Sequence, residues 1–458
     1  MAIFRNFTGF ESGHLLVLGQ FSLNNGDGFL SVVEPGRSGR YGLRFNQTGV
    51  SASGHSVQFP APGLAAFPAD NEAGGIFRFF IKLASYPSAD KVLGGWAGIA
   101  GAAHARLIVT STGTFKAQTT GVTSAASLTV IPLGQWVEVQ IGCFIHNDSS
   151  ASAFDDYVKG TVTILGETLT QCVDGPGGFT DPAFALQRVL FGDLAANAVT
   201  IDVMYDDGFY VADTQAGPGA CVPAGTCSCL RAMSDISTVT LPAETNIVPA
   251  SPTAQGSLAQ WTGGFALVTE IPFDPTNGAS EQTDAVIEDA TTFLHATAEA
   301  LGISSIQGVR VLAEWKAALA VNHAILWDGV EYSVAVKAAY LTLPQPSQVI
   351  FGALTNAAFN AIEFGVRNKT GAAMQLGAIL VEVLALGAGR LGTTPTPLAG
   401  GGGNGAPGGR WLMVSGPVAA SGVTASPAQK WIPLGGAVPA AGSSPIVPQR
   451  WMPFFGSS

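Results

Sequence analysis

The chain has 458 residues, of which 47 % are hydrophobic and only 12 % charged, with a net charge of −11 and 58 glycines. The length fits two or three domains. The acidic balance excludes a protein that grips nucleic acid, because phosphate neutralisation needs a basic face. A charged share about half the usual ~25 % suits a chain whose surface is covered in an assembly, which predicts a homo-oligomer or a larger particle. No run of about 18 apolar residues occurs, so no membrane insertion is expected. The start, MAIFRNFTGFESG, lacks a charged region followed by an apolar one, so the expected site of synthesis is a cytoplasm with no secretion route.

From Ile3 to about Asp213, short apolar runs alternate with Gly, Pro, Asn and Ser clusters. Gly75–Lys82, Trp136–Ile141 and Thr161–Leu165 show the period-two alternation and β-branched enrichment of half-buried strands. Turn signals recur every ten or so residues, as in a β-sandwich. Cys143 and Cys172 follow strand-like segments and read as buried thiols. Cys221, Cys227 and Cys229 form a loop cluster whose spacing matches no zinc pattern and which reads as free thiols, with a local disulfide as the alternative.

Three pieces of this half resemble concanavalin A-like (laminin-G-like) jelly rolls. They are the opening Phe10-Glu11-Ser12-Gly13, the middle Gly134-Gln135-Trp136-Val137-Glu138-Val139, and the hairpin Thr163-Ile164-Leu165-Gly166-Glu167-Thr168-Leu169. Ile201–Asp213 resembles the last strand of such domains as they occur in phage virion proteins. In that family the Trp opens a core strand and the hairpin carries a small polar turn.

After a Gly/Pro/Cys-rich connection over 214–235, the order of features continues to resemble the same phage group. It runs through a short strand around Val239, a turn at Gln260-Trp261-Thr262, a strand containing Asp284, and Ile306–Val311. Two alternating strands, Asn360–Val366 and Ala378–Leu384, close it. Residues 284–301 conflict with this, because their helix propensity is good. Val309, Val311, Ala313 and Trp315 nevertheless alternate with Arg310, Leu312, Glu314 and Lys316, which is strand periodicity, so a mainly β domain with at most one short helix is predicted.

From Leu391 onward, 24 of 68 residues are Gly or Pro, and the only charges are Arg410, Lys430 and Arg450. Each is followed by tryptophan, giving Arg410-Trp411, Lys430-Trp431 and Arg450-Trp451, spaced by 20 residues both times. A chain this rich in Gly and Pro builds no core of its own, so the rings need pockets elsewhere. A ring beside a cation is a frequent binding hot spot. Three similar anchors, no farther apart than the roughly 66–72 Å span of 20 extended residues, predict equivalent pockets on a symmetric or repeating partner.

Chemical motifs are absent. Gly387-Ala388-Gly389-Arg390-Leu391-Gly392 imitates a dinucleotide loop, but Thr393-Thr394-Pro395-Thr396-Pro397 cannot open the helix that a pyrophosphate needs. The six histidines show no metal-ligand spacing. Asp155-Asp156 and Asp206-Asp207 read as solvated acids whose neighbours point to opposite strand faces, so neither pair forms a glycosidase dyad. A rim Ca²⁺ through Asp155 or Asp156 is the alternative, and no other cofactor is expected.

The sequence therefore predicts an all-β chain. It has an N-terminal concanavalin A-like jelly-roll β-sandwich over 1–215, a second mainly β sandwich domain over 230–386, and an extended Gly/Pro-rich anchoring arm over 387–458. The resemblance implies a non-enzymatic bacteriophage virion structural protein, a tail-associated fibre or adhesin-type subunit fastened by its arm and assembled in the host cytoplasm. The alternatives are a capsid decoration (head fibre) protein and a jelly-roll glycan depolymerase. The expected partners are other virion proteins, further copies of the chain, and a host surface glycan.

Overall fold

The computed structural model describes residues 4–11, 13, 22–24, 28–51, 54–60, 71–97, 103–147, 156–175, 188–216, 245–269, 282–317, 323–333, 340–351, 353–386, 410–413 and 431–434. The chain divides into a compact unit, Met1–Thr393, and a second unit, Thr394–Ser458.

The regular secondary structure of the described residues is almost entirely antiparallel strand. In the first sandwich one sheet runs in the order β13 (Glu167–Gly175), β12 (Asp156–Ile164), β11 (Trp136–Asn147), β6 (Asn71–Ser85), β15 (Ile201–Ala216), β4 (Gly42–Gln47), β3 (Leu30–Val33). A further strand, β1 (Phe4–Thr8), also pairs with β15. The facing sheet runs β10 (Val122–Thr123), β9 (Phe115–Thr119), β8 (Ala103–Val109), β7 (Lys91–Ala97), β14 (Arg188–Asp193), β5 (His55–Pro60), β2 (Ser22–Asn24). Alternation decides which residues meet between the sheets. Phe77, Phe79 and Ile81 of β6 face inward with Val139 and Ile141 of β11, and Phe191 and Tyr205 stack among them. β11 begins at Trp136, as the resemblance implies, but the fully buried indole is that of Trp96, whose N–H donates to the Ile141 carbonyl at 2.9 Å. The hairpin between β12 and β13 turns on Leu165 (φ 51°) and Gly166 (φ 83°), the left-handed pair that a two-residue loop of this twist requires.

The second sandwich places β16 (Thr245–Ala250), β25 (Met374–Leu386), β20 (Ser305–Ala317) and β23 (Tyr340–Phe351) in one sheet, with β18 (Gln282–Asp284) on the edge of β25. The other sheet runs β17 (Pro252–Ala259), β19 (Ala290–His295), β24 (Phe364–Asn368), β21 (His323–Trp327), β22 (Val330–Ser333). Residues 284–301 hold the end of β18, the whole of β19 and turns, so pairing overrides their helix propensity. The α-helix among the described residues lies elsewhere, at Asn356–Ala361, started by the Thr355 hydroxyl accepting from Ala358 N. One expectation therefore needs correction: Asn360 and Ala361 end a helix rather than open a strand. The strand around Val239 falls outside the described residues.

Val309, Val311 and Ala313 face the core as their alternation predicts. Their partners on the other face, Arg310, Leu312 and Glu314, are buried as well, at 1–2 % exposure, as are Leu380, Glu382 and Leu384 of β25. These described positions of the sheet are buried on both faces.

Replacing Trp96 with Ala removes a filled interior position and its hydrogen bond, and is expected to lower unfolding stability by about 3–5 kcal/mol. Urea denaturation measures this; a loss of less than about 1 kcal/mol would show that the core closes without the indole.

Candidate functional site

Of the anchor residues, Arg410 and Trp411 lie on β26 (Arg410–Met413) and Trp431 on β27 (Trp431–Leu434). Lys430, Arg450 and Trp451 lie outside the described residues. The two strands pair antiparallel, Arg410 opposite Leu434, Trp411 opposite Pro433, and Met413 opposite Trp431. Opposite residues share a face, as do residues two apart along a strand, so positions 411, 413, 431 and 433 fall on one face of the ladder. The first two repeats are thus brought together as one element.

The second notable place is the junction where the sandwiches meet inside the compact unit. The pairing of β15 with β6 shifts register between Asp206 and Phe209, and Asp207 takes a left-handed backbone (φ 47°). This irregularity overturns the expectation of opposite faces and solvated acids: both carboxyls converge on Arg37 and both are fully buried. Asp207 also accepts from the Ser38 hydroxyl at 2.5 Å and from Ile247 N at 3.1 Å, while Arg37 donates to Asn246 Oδ1 at 2.7 Å. Close by, Arg310 donates to the Phe7 carbonyl and to Glu382, each at 3.1 Å, and Glu382 accepts from Gly9 N and Glu11 N at 3.3 and 3.2 Å. The Glu11 carboxyl is itself buried. It accepts from Arg40 N at 2.9 Å through Oε2.

Four carboxyls here meet two guanidiniums. Burial, reinforced by Glu382 and Asp207, pushes the Glu11 carboxyl well above the usual carboxylate range. Burial, together with the charges of Asp207 and Glu11, does the same to Asp206. Asp207 and Glu382 are also raised by burial, against the opposing pull of Arg37 and Arg310. Sealed from solvent, the cluster is a structural joint and offers no access to a substrate.

The open polar site is on the outer face of the second sandwich, a groove of about 350 Å³. Thr292, Gly365 and Leu326 stand side by side across β19, β24 and β21. The middle position has no side chain, and a Cβ there would overlap the Thr291 carbonyl, so only glycine lets β19 and β24 approach this closely. Glu363 and Arg367, two residues to either side, fall on the same face of the chain and form the ends. Glu363 Oε2 accepts from Ser257 N and Oγ at 2.8 Å each and from Thr292 Oγ1 at 2.7 Å. Burial tends to raise this carboxyl, but these donors outweigh it and hold it below the usual range. Arg367 pairs with Glu331, and Asp328 (φ 51°) sits exposed on the β21–β22 turn, its N–H donating to the Glu363 carbonyl at 3.0 Å. None of these residues was singled out from the sequence, because the groove gathers positions 257, 292, 326–329 and 361–367 across four strands.

Among the described residues no cluster of His, Cys, Asp or Glu suits a metal ion. Asp155 lies outside them, and Asp156 opens β12 opposite Gly175. Cys143 is a buried free thiol as expected, but Cys172 is disulfide-bonded, which corrects its reading as a thiol. Cys221, Cys227 and Cys229, and the Gly387–Gly392 pattern, fall outside the described residues.

A raised Glu11 pKa contributes stability below the ordinary carboxylate range, and that contribution is lost as pH rises through the folded-state value. Glu11→Gln keeps the acceptor for Arg40 N and removes the ionisation. The variant should match the parent near pH 4 and exceed it in thermal midpoint near pH 8. Equal midpoints at both pH values would show that Glu11 is not forced to hold a proton. Arg310→Met leaves Glu382 buried without its cation and should cost about 3–5 kcal/mol, most of it recovered by adding Glu382→Leu. Denaturation of the single and double variants checks this, and a double variant no better than the single would refute the pairing.

No protein-family model matches the chain, and no curated protein does. Among solved structures it is similar to the marine PL-14 alginate lyase from Aplysia kurodai, at 13 % identity over 44 % of this chain and 95 % of that one, with a TM-score of 0.30. It is similar to a conserved carbohydrate esterase from the Shiga toxin-encoding bacteriophage phi24B, at 12 % identity over 46 % of this chain and 100 % of that one, with a TM-score of 0.31. Peanut lectin is similar at 14 % identity over 42 % of this chain and 95 % of that one, with a TM-score of 0.25. At these TM-scores none of the likenesses carries an argument about what this chain does.

Proposed function

We propose that the chain is a non-enzymatic structural subunit of a phage-type virion, a tail-associated adhesin whose body is the pair of β-sandwiches and whose C-terminal arm fastens it to the particle. The reading is carried by the arm. It forms a unit separate from the compact body and holds the evenly spaced Arg/Lys-Trp repeats, the first two of which pair as strands. Chemistry in the groove supports a binder over a depolymerase. A glycosidase needs a carboxylic acid kept protonated near neutral pH, whereas Glu363 is held ionised by three donors, and the raised carboxyls are sealed in the junction. A capsid decoration protein would use the same arm, so head and tail differ only in the particle surface that receives it.

Deleting residues 391–458 should leave a folded body that no longer co-sediments with particles, and normal incorporation of the truncated chain would sink the proposal. Because Trp411 and Trp431 share one ladder, Trp411→Ala and Trp431→Ala should each weaken attachment, with the double variant little worse than either. Trp451→Ala should add to them. Strict additivity of the first two would mean that the repeats act separately.

A further inference from the structure

We infer that the groove lined by Thr292, Glu363 and Arg367 binds a neutral sugar ring of a glycan. This deepens the adhesin reading by giving it a contact surface, and rests on that reading only for the biological source of the sugar. The groove is at the small end of the size range of ligand sites, about 300–1,000 Å³. Its polar groups are fixed before any ligand arrives: Glu363 by Ser257 and Thr292, Arg367 by Glu331, and Asp328 by its turn. Fixed donors and acceptors recognise a ligand without further ordering cost.

The charge pattern selects the ligand. Glu363 and Asp328 bring two carboxylates to the groove, while its one guanidinium, Arg367, already lies beside Glu331 and, at 3.9 Å, Glu288. An anionic ligand would meet uncompensated negative charge. Carboxylates do suit the paired hydroxyls of a sugar ring, since each oxygen accepts more than one hydrogen bond. Three donors use Glu363 Oε2, and no hydrogen bond to its Oε1 occurs among the described residues. Leu258 and Ala361 supply apolar wall for the C–H face of the ring.

Saturation-transfer NMR on the full chain tests this with methyl glucoside, methyl galactoside, methyl mannoside and N-acetylglucosamine, and with glucuronate and N-acetylneuraminate as anionic counterparts. At least one neutral sugar should give signal, and both anionic ones should give none. Ala361→Trp fills the groove from its exposed rim and should abolish the signal. Asp328→Asn removes a charge, keeps a residue tolerant of the left-handed turn, and should weaken binding several-fold. Val330→Ser, on the same hairpin outside the groove, should leave binding unchanged. Absence of signal from every neutral sugar, binding of anionic sugars alone, or full binding by Ala361→Trp would each overturn the assignment. The readout is independent of particle attachment, so it can fail while the arm proposal stands, or the reverse.

Discussion

The buried pair Arg310–Glu382 is the constraint on which the arrangement of the two sandwiches rests. Both residues are about 1 % exposed and sit on the face of the β20–β25 sheet that points away from its own core. Neither charge could be buried there alone. Arg310 is completed by the Phe7 carbonyl, and Glu382 by the amides of Gly9 and Glu11, so the first sandwich's N-terminal strand supplies the missing hydrogen bonds. Apolar residues of similar volume would often pack there at no loss of stability, so the chief effect of such a pair is to define one docking position. The Arg37–Asp207–Ile247 contacts fix a second point of the same interface, and two points prevent rotation about the first.

Much of the fold was legible from residue alternation. Val309, Val311 and Ala313 recur with the strand period, and all three face the core. What alternation cannot report is what covers the opposite face. Nothing local marks Arg310 as buried, which its hydrogen bond to the Phe7 carbonyl some 300 positions away reveals. The Asp206-Asp207 error has a similar origin. The expectation of opposite faces assumes a regular strand, and a local irregularity with one left-handed residue cancels it. The disulfide at Cys172 was equally invisible, since cysteine spacing does not reveal connectivity.

The groove was illegible for a different reason. Each of its residues is ordinary in its own segment: a serine in a Gly/Ser strand, a threonine between two buried neighbours, a glutamate after a helix. Their meaning comes from the register of β19, β24 and β21, which aligns Thr292, Gly365 and Leu326 in one row. Of the segment Asn360–Val366, read from the sequence as strand, Asn360 and Ala361 end the helix, and Glu363 emerges just before β24.

The arm began as three anchors spaced 20 residues apart, each expected to find its own pocket. Pairing of the first two changes the physics. A two-stranded ladder by itself is marginally stable in water, because it has too little apolar surface to repay the ordering of its chain. Closing residues 414–430 between the strands adds a further entropic cost, which grows only slowly with length. A pair of four-residue strands with positions 411, 413, 431 and 433 on one face thus gains stability chiefly by laying that face on another surface. In the proposed reading, formation of the ladder and attachment to the partner are one event.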